Sequence, residues 1–398
     1  GKAVQIPVTV KDTTVTVKLD DKTTETLIED ALSAASGDSA ATPVVTLDIS
    51  TIAAAETVQL DVDAAEAFSE ANVSVSVKFP IGDITLDPPA LADLAETTDV
   101  GTTPVTVSVS GVPMKDLKGM QAAQVKGYET VVNVDVYVGD KKTDVSLTIS
   151  LPYTLKANED PAAVCVWHMA DSGKLTKLNG VYDAQTGMIT FTVTHQSYYV
   201  VGYDPVALWE NIFTDVNPGD WFYDAVAYAN FYGYVDGSNN EYKPLENLSR
   251  AEFVTLVWKL EGQPAPAGTN PFADVPDAAW YTNAVIWAAE NGIVNGDGSG
   301  NFNPGKDISR QEMITLLYNY ILYKGYDIPA YQNAQYTDGA DVSSWAAAAV
   351  NALADAGVLN GFAETSLLPA QNANRAELAQ IFMDFLRLIA GRQKEGAR

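Results

Sequence analysis

The second half of the chain repeats one spaced pattern of residues three times. In each copy an Asp is followed six or seven residues later by a Trp, then twelve residues later by a Gly, and then by Arg-x-Glu. The interval from Trp to Arg is 29, 30 and 30 residues. This agreement indicates one supersecondary unit used three times, and such units bury their apolar faces on one another. The pattern residues are Asp215, Trp221, Gly233 and Arg250; Asp274, Trp280, Gly292 and Arg310; and Asp338, Trp345, Gly357 and Arg375.

Each copy is predicted to form two helices joined by a tight turn. The apolar spacing predicts a first helix that opens at the Trp and ends at the Gly, which suits the left-handed backbone of a helix C-terminus. The second helix is predicted to begin at a Ser or Asn that has a Glu three residues later, because this is the pattern of a capping box. The turns are Asp236-Gly237, Asn295-Gly296 and Asn360-Gly361, and the caps are Ser249, Ser309 and Asn374.

The Arg of each copy occupies the first position of the second helix, where capping does not explain it. The helix dipole disfavours a cation there by roughly 0.3–1 kcal/mol. An Arg placed at this position three times therefore needs a partner. Either it pairs with the Asp of its own copy, or it joins the helix N-terminus in holding an external anion such as a carboxylate or phosphate, and one Arg can do both.

A pair of helices of about 55 residues is too small to be stable alone. The simplest closure is an all-α bundle of three copies around a pseudo-threefold axis, with the Trp and aliphatic faces packed centrally. This arrangement leaves three similar grooves between neighbouring copies. A Trp in such a groove suits the apolar face of a pyranose ring. The alternative interpretation of Trp221, Trp280 and Trp345 is that they belong to the core.

The first half of the chain is dominated by predicted strands. Apolar and polar residues alternate, as in Val73–Phe79, Val132–Val138 and Val145–Leu151, and this period is typical of strands with one buried face. Helical stretches at Glu25–Ala35 and Asp63–Ala71 interrupt the strands. We predict a β-rich, sandwich-like region. A break in the pattern near residue 100 is compatible with either one domain or two subdomains. The predicted domains are 1–204 for this region and 205–262, 263–326 and 327–392 for the three copies.

Composition excludes several classes of partner and site. The net charge of −27 repels nucleic acid and anionic lipid. No run of about 18 apolar residues is present to span a bilayer, and no leader stands at Gly1, so any signal peptide is expected to be removed or to precede the chain. One Cys and two His exclude a disulfide and a Cys- or His-rich metal site, so we expect no metal and no cofactor. Cys165 lies in an apolar run and is predicted to be a buried, inert thiol.

Two short motifs resemble known sites but lack a key residue. His195-Gln196-Ser197 is similar to the His-Phe-Ser self-cleavage signature of the ZU5 family of β-sandwiches, in which the hydroxyl attacks the preceding carbonyl. Here Gln replaces the Phe. Asn295–Asn301 alternates like the first ligands of a calcium loop, but the twelfth position is Lys306 rather than a bidentate Glu. We therefore predict no catalytic residue and no EF-hand calcium site.

The repeated residues resemble those of the S-layer homology (SLH) domain. The matching elements are Phe213-Thr214-Asp215-Val216, Phe272-Ala273-Asp274-Val275, Tyr336-Thr337-Asp338, the aromatic residues that follow two of the tryptophans, and Ser-Arg-Ala-Glu with its variants. The resemblance covers about Phe213 to Ile389. It implies non-covalent anchoring of an exported protein to the bacterial cell wall. The partner it implies is a secondary cell-wall polysaccharide, often with pyruvylated N-acetylmannosamine, held in the grooves of a three-fold bundle.

The resemblance also implies a glycan-binding role for each repeated residue. Arg250, Arg310 and Arg375 would bind the ketal carboxylate, and the aspartates would hydrogen-bond sugar hydroxyls. The tryptophans would stack on sugar rings, and the glycines would leave room for the glycan. The third copy departs most from the pattern, with Asn374 as its cap and Ala346–Ala349 where the other copies have aromatic residues. Its groove is expected to be the weakest.

We therefore predict an extracellular, non-enzymatic protein of the bacterial cell wall or S-layer, anchored by the three copies. The β-rich region would be displayed outward, and self-association into a surface layer is a further expected partner interaction. Nucleic acid and membrane insertion are not expected. The alternative is the wall-anchoring C-terminal part of a larger secreted enzyme or adhesin whose active domain precedes Gly1.

Overall fold

The chain divides into two compact units. A computed structural model describes residues 8–17, 19–36, 42–52, 54–98, 100–117, 121, 125, 130–171, 173–328, 330, 333–359 and 365–393. One unit comprises Gly1–Leu117 with Val125–Ala207, and the other contains Leu208–Arg398. We call them the β-rich unit and the helical unit, and we describe each by itself.

The β-rich unit contains two sheets. Its strands are β1 Val8–Lys11, β2 Thr14–Val17, β3 Val44–Asp48, β4 Thr57–Asp61, β5 Ser74–Phe79, β6 Gly82–Leu86, β7 Pro104–Gly111, β8 Thr130–Val138, β9 Lys141–Lys142, β10 Leu147–Pro152, β11 Val164–Met169, β12 Leu175–Leu178, β13 Gly180–Asp183, β14 Met188–Val193 and β15 Tyr198–Tyr203. One sheet has the order β1-β2-β4-β7-β8-β15-β11-β12, with β9 beside β8, and the other has the order β13-β14-β10-β6-β5-β3. The pairs β2–β4 and β3–β5 are parallel, and the other recorded pairs are antiparallel.

Alternate residues of both sheets enter one hydrophobic core. Val105, Val107 and Val109 of β7 are fully buried in it, as are Val75 and Val77 of β5. The prediction of a β-rich region is confirmed, and its two sheets share the core that the alternation indicates. Strand β4 pairs with β7, so strands from both sides of residue 100 lie in one sheet.

Among its described residues the β-rich unit has the α-helices α1 Asp21–Ala35, α2 Val62–Glu70 and α3 Pro88–Ala95. The first starts earlier than its apolar pattern predicts, because the side chain of Asp20 caps it by accepting from the Thr23 amide at 2.8 Å. The sequence prediction missed α3. Asp87 caps it through the Ala90 amide at 2.9 Å, and Pro88 stands at its first position. This combination is a recognisable start signal.

The helical unit contains two helices per repeat, as predicted. The helices are α4 Tyr223–Phe231, α5 Arg250–Leu260, α6 Thr282–Glu290, α7 Arg310–Lys324, α8 Ala347–Asp355 and α9 Arg375–Gln393. Gly233, Gly292 and Gly357 follow α4, α6 and α8 with φ of 72°, 68° and 75°, the left-handed conformation expected of them. The predicted turn at Asn360-Gly361 lies outside the described residues.

One detail of the sequence prediction is wrong: the tryptophans do not open the first helices. Helices α4, α6 and α8 begin two residues after Trp221, Trp280 and Trp345. The residue after each Trp turns inward instead. Phe222 and Ala346 are buried, and Tyr281 packs against the core.

The second helices begin with the predicted capping pairs. The side chain of Ser249 accepts from the Glu252 amide, and the Glu252 carboxylate accepts from the Ser249 amide. Ser309 and Glu312 repeat this exchange, as do Asn374 and Glu377. Two orphan donors of each helix N-terminus are therefore satisfied locally.

The segments that precede the second helices form a closed ring of backbone hydrogen bonds. The Leu248 amide donates to Ala373 O at 2.8 Å, the Ala373 amide to Ile308 O at 2.8 Å, and the Ile308 amide to Leu248 O at 2.9 Å. All three residues are fully buried. Each repeat therefore satisfies its backbone only when the other two are in place.

Candidate functional site

The amides of the second helices are already occupied. The Arg250 amide donates to Lys306 O and the Ala251 amide to Pro304 O, both at 3.0 Å and both in the next repeat. The other two repeats make the same contacts, with Arg310 and Gln311 donating to Gln371 O and Pro369 O, and with Arg375 and Ala376 donating to Glu246 O and Pro244 O. The part of the hypothesis that placed an external anion on these helix N-termini is therefore not supported, because their first amides face carbonyls.

The repeated aspartates hold a strained loop within each repeat. Asp274 accepts from the Phe302 and Asn303 amides, each at 2.7 Å, and Asn303 has φ of 60°. The equivalent residues Lys243 and Leu368 also have positive φ, of 58° and 52°. Left-handed backbone is unfavourable for such residues, and the two charge-assisted hydrogen bonds offset that cost. The same contacts are made by Asp215 with the Tyr242 and Lys243 amides and by Asp338 with the Leu367 and Leu368 amides.

Each Arg reaches into the next repeat rather than toward its own Asp. The Arg250 guanidinium donates through Nε to Phe302 O at 3.0 Å and through Nη2 to Asn295 O at 3.2 Å. It also lies 4.9 Å from the centroid of the Phe302 ring, a cation–π contact. The pairing of each Arg with the Asp of its own copy is therefore not what the structure shows.

Arg310 and Arg375 make the same kind of contact and add an ion pair. Arg310 Nη2 lies 2.6 Å from Glu377 Oε1. Arg375 Nη1 lies 3.2 Å from Glu252 Oε1. Arg310 also donates through Nε to Glu377 Oε2 and through Nη1 to Leu367 O. The other two nitrogens of Arg375 donate to Tyr242 O and Asp236 O. The glutamates of the capping boxes therefore serve as partners for two of the three arginines.

The three tryptophans are exposed, which contradicts central packing. Trp221, Trp280 and Trp345 keep 53%, 63% and 55% of their surface accessible. Each precedes its helix, so its side chain lies outside the apolar stripe that the helix turns toward the core. An exposed indole is available for stacking on a ligand.

The glycines after α4 and α6 border open space. A Cβ added to Gly233 or Gly292 would meet no atom within 4 Å. Their positive φ is therefore the reason for Gly within the protein itself. The open space is compatible with the predicted role of leaving room for a ligand.

One groove brings residues of all three repeats together. Its volume is about 290 Å³. Arg250 comes from the first repeat and Trp345 from the third, and the second repeat supplies most of the lining. Lys306, Thr315 and Asn319 also line the groove, and they were not predicted as site residues from the sequence. One sequence feature does distinguish Lys306. It is a cation four residues before Arg310, whereas the equivalent residues of the other repeats are Glu246 and Gln371.

Burial and hydrogen bonds shift the pKa values of three charged groups that line this groove. Burial lowers the pKa of Arg250, while Glu312 and Asp274 act in the opposite direction. Burial alone would raise the pKa of Glu312, but hydrogen bonds from Ser309 and Lys306 lower it. The backbone amides of Ser299 and Asn301 hold the pKa of Asp297 at about 2. Arg250, Glu312 and Asp297 are therefore charged at neutral pH.

The side chains of the other sequence motifs make contacts within the fold. Ser197 Oγ donates to Met169 O at 3.5 Å, and the His195 ring packs edge-on against His168 with centroids 4.6 Å apart. The Asp297 carboxylate is engaged by its own loop, through the amides of Ser299 and Asn301 and the side chain of Asn303. Cys165 is buried, as predicted, and its Sγ donates to Ala163 O at 3.5 Å. In the part of the chain that the structure describes, no three His, Cys, Asp or Glu side chains are grouped to hold a metal ion, and no helix is long and apolar enough to cross a membrane.

Comparison with known proteins identifies the helical unit. The family model of the S-layer homology domain matches residues 212–254, 271–314 and 335–379. An amylopullulanase of Thermoanaerobacterium thermosulfurigenes is 29% identical over 269 residues, which cover 66% of this chain and 14% of that protein. This span is longer than the part of the chain after Asp204, so the similarity also includes part of the β-rich unit.

Two further relatives are named for a surface layer and for anchoring. A surface-layer 125 kDa protein of Lysinibacillus sphaericus is 29% identical over 38% of this chain and 13% of that protein. A cellulosome-anchoring protein of Acetivibrio thermocellus is 28% identical over 36% of this chain and 32% of that protein. The chain thus spans at most about a third of the length of these three curated relatives.

The family match agrees with the three repeats found in the sequence. SLH domains anchor proteins to the cell wall and are not themselves catalytic. The matched segments contain the repeated Asp, Trp, Gly and Arg residues and the three capping boxes. Residues 212–379 therefore hold three S-layer homology domains, and the chain is an SLH-domain protein of the bacterial cell surface, extracellular and associated with the cell wall.

Proposed function

We propose that the helical unit anchors the protein by binding an anionic secondary cell-wall polysaccharide in the grooves between its SLH repeats. The observation that carries this proposal is the groove in which Arg250 and Trp345 face the same space. The β-rich unit is then the part displayed outward. No enzymatic activity is assigned to either unit.

The groove has the chemistry that an acidic sugar requires. A guanidinium takes a carboxylate through two parallel hydrogen bonds, and an indole covers the apolar face of a pyranose. The preferred unit is N-acetylmannosamine with a pyruvyl ketal, because the ketal carries a carboxylate on a sugar. The net charge of −27 does not prevent binding, because charges beyond about 8 Å are screened at physiological salt.

The cyclic contacts between repeats support a pseudo-threefold bundle as the scaffold of these grooves. Each Arg reaches the loop of the next repeat, and Arg375 of the third returns to Tyr242 of the first. The ring of Leu248, Ala373 and Ile308 also joins all three repeats, but its amides donate in the opposite direction, from the first repeat to the third, from the third to the second and from the second to the first. Such a scaffold presents three related grooves whose side chains differ, so their affinities need not be equal.

The test is binding of the full chain to a defined glycan. Isothermal titration with the methyl glycoside of pyruvylated N-acetylmannosamine is expected to show binding, and the same sugar without pyruvate is expected to bind at least about tenfold more weakly, since a charged hydrogen bond contributes about 1.5–3 kcal/mol. Co-sedimentation with purified cell walls, before and after acid extraction of their polysaccharide, provides the matching measurement on the natural partner. A folded protein that binds extracted and intact walls equally would contradict the proposal.

A second proposal is that the chain is the anchoring part of a longer secreted enzyme or adhesin. The observation that favours it is the amylopullulanase match, which extends beyond the SLH domains although the chain covers 14% of that relative. Sequencing the gene upstream of the codon for Gly1 tests it directly. Self-association into a surface layer stays a prediction, which sedimentation velocity of the full chain checks.

A further inference from the structure

The three arginines have the same position in their repeats but different partners. The inference drawn from this difference rests on the proposed function. We infer that the Arg250 groove is the one groove of the three that takes an anionic ligand, because Lys306 holds Glu312 away from Arg250. Lys306 is therefore a positioning residue, and Arg310 and Arg375 fasten the repeats together.

The guanidinium of Arg310 is bound by acceptors within the protein. Its three guanidinium nitrogens all donate, to both carboxylate oxygens of Glu377 and to Leu367 O. Arg310 is 8% exposed and Glu377 is 3% exposed. An external anion on Arg310 would leave the Glu377 carboxylate buried without its cation, which is strongly unfavourable.

The guanidinium of Arg375 is also bound by acceptors within the protein. Its three nitrogens donate to Tyr242 O, Asp236 O and Glu252 Oε1. The guanidinium also lies 4.8 Å from the centroid of the Tyr242 ring. A ligand at Arg375 would therefore have to displace the ion pair that ties the third repeat to the first.

Arg250 lacks the corresponding ion pair. Its Nε and Nη2 donate to Phe302 O and Asn295 O, and among the described residues neither an ion-pair partner nor an acceptor for Nη1 is recorded. By equivalence with Glu252 and Glu377, its partner should be Glu312. Arg250 lines the groove, so we expect a carboxylate to bind the hydrogens of Nη1 together with the second hydrogen of Nη2.

Lys306 explains why Arg250 lacks the ion pair that Arg310 and Arg375 form. Glu312 Oε2 accepts from the Ser309 amide, as Glu252 Oε2 accepts from the Ser249 amide. The other oxygen of Glu252 receives Arg375, whereas Glu312 Oε1 receives Lys306 Nζ at 3.1 Å. The equivalents of Lys306 in the other repeats are Glu246 and Gln371, and neither is a cation that could compete with an Arg. By pairing with Glu312, Lys306 thus leaves Arg250 without an inter-repeat ion pair, so that Arg250 can bind a ligand.

The first experiment compares matched variants of the full chain by isothermal titration with pyruvylated N-acetylmannosamine glycoside. The parent is expected to bind one equivalent, and Arg250→Gln to lose binding. Lys306→Gln, which copies the third repeat, is expected to bind at least about tenfold more weakly, because Glu312 then turns to Arg250. Adding Glu312→Gln is expected to restore most of the affinity, since Gln also completes a capping box. Lys259→Gln, which removes a lysine paired with Asp236, is the charge-matched control and is expected to bind like the parent.

Several results would overturn the inference. Two or three equivalents bound by the parent would show that other grooves work. A double variant as weak as Lys306→Gln would show that Lys306 contacts the ligand itself or acts otherwise. Normal thermal melting of each variant separates these outcomes from misfolding.

A measurement without glycan keeps the inference testable if the proposed function fails. Phenylglyoxal modifies accessible guanidinium groups, and peptide mass spectrometry reports the rate at each Arg. Arg250 is expected to react at least about tenfold faster than Arg310 and Arg375, as expected for a guanidinium without a buried ion pair. Lys306→Gln should slow the reaction of Arg250, and Glu312→Gln in the same chain should restore it. Equal rates at the three arginines would refute the assignment, whereas fast Arg250 in a protein that ignores the sugar would refute only the proposed glycan.

Discussion

Arg375 of the third repeat lies 3.2 Å from Glu252 of the first, so the last helix of the chain is tied to the first capping box. Arg310 and Glu377 form the equivalent tie between the second and third repeats at 2.6 Å. Between the first and second repeats the tie is missing, because Glu312 pairs with Lys306. These two ion pairs, a third between Lys324 of the second repeat and Glu261 of the first, and the buried backbone ring join the repeats, so the helical unit should unfold as a unit.

Glu377→Ala is expected to destabilise the helical unit by about 3–5 kcal/mol, because it leaves the Arg310 guanidinium buried without its partner. Denaturant unfolding followed by tryptophan fluorescence measures the loss, since six of the seven tryptophans lie after Ala207. The control is Arg310→Met with Glu377→Leu, which removes both charges and should cost less than the single change. A single variant as stable as the parent would contradict the role of this pair.

Asp274→Ala is expected to destabilise the same unit by about 2–3 kcal/mol, because two backbone amides lose a charged acceptor. Glycan affinity should fall with it, since the loop that these bonds hold carries Phe302 and Asn303 of the Arg250 groove. Thermal melting and titration on one preparation measure both effects. Asp277→Ala, an exposed carboxylate in the same repeat, is the control and should change neither quantity.

Trp345→Ala is expected to weaken glycan binding about 2- to 10-fold without lowering the melting temperature, because the indole is 55% exposed and lines the Arg250 groove. Trp221→Ala and Trp280→Ala are matched controls. They remove equally exposed indoles from the equivalent positions, and they should bind like the parent if the Arg250 groove is the working one. Equal losses in all three variants would instead favour three working grooves.

The stability of the β-rich unit is expected to fall as the pH drops below about 6.5. Burial, with the neighbouring His195, lowers the pKa of His168 in the folded protein. Below the ordinary pKa of His, the unfolded chain therefore binds more protons than the folded one, and protonation favours unfolding. Circular dichroism melts between pH 7.5 and 5.5 measure the effect, which His168→Gln should reduce. A parent whose melting temperature is constant over this range would contradict the prediction.

Short-range signals in the sequence predicted the local structure of the helical unit well. Ser249 with Glu252 predicted a capping box, and Gly233 predicted a left-handed helix end. Both features depend on hydrogen bonds or backbone angles within a few residues, and the structure confirms them. The alternation of apolar residues similarly predicted the strands of the β-rich unit, whereas α3 was missed because its cap at Asp87 precedes only eight helical residues.

The three repeats, their caps and the SLH family could be recognised from the residues alone, because these features depend on residue types at fixed spacing. Which arginines form an ion pair, by contrast, depends on the tertiary structure. Arg250, Arg310 and Arg375 have the same local sequence signals, but their partners come from the next repeat, 45 to 139 residues away. The exposure of the tryptophans was decided in the same manner, since a helix start shifted by two residues moves a side chain from the core to the surface.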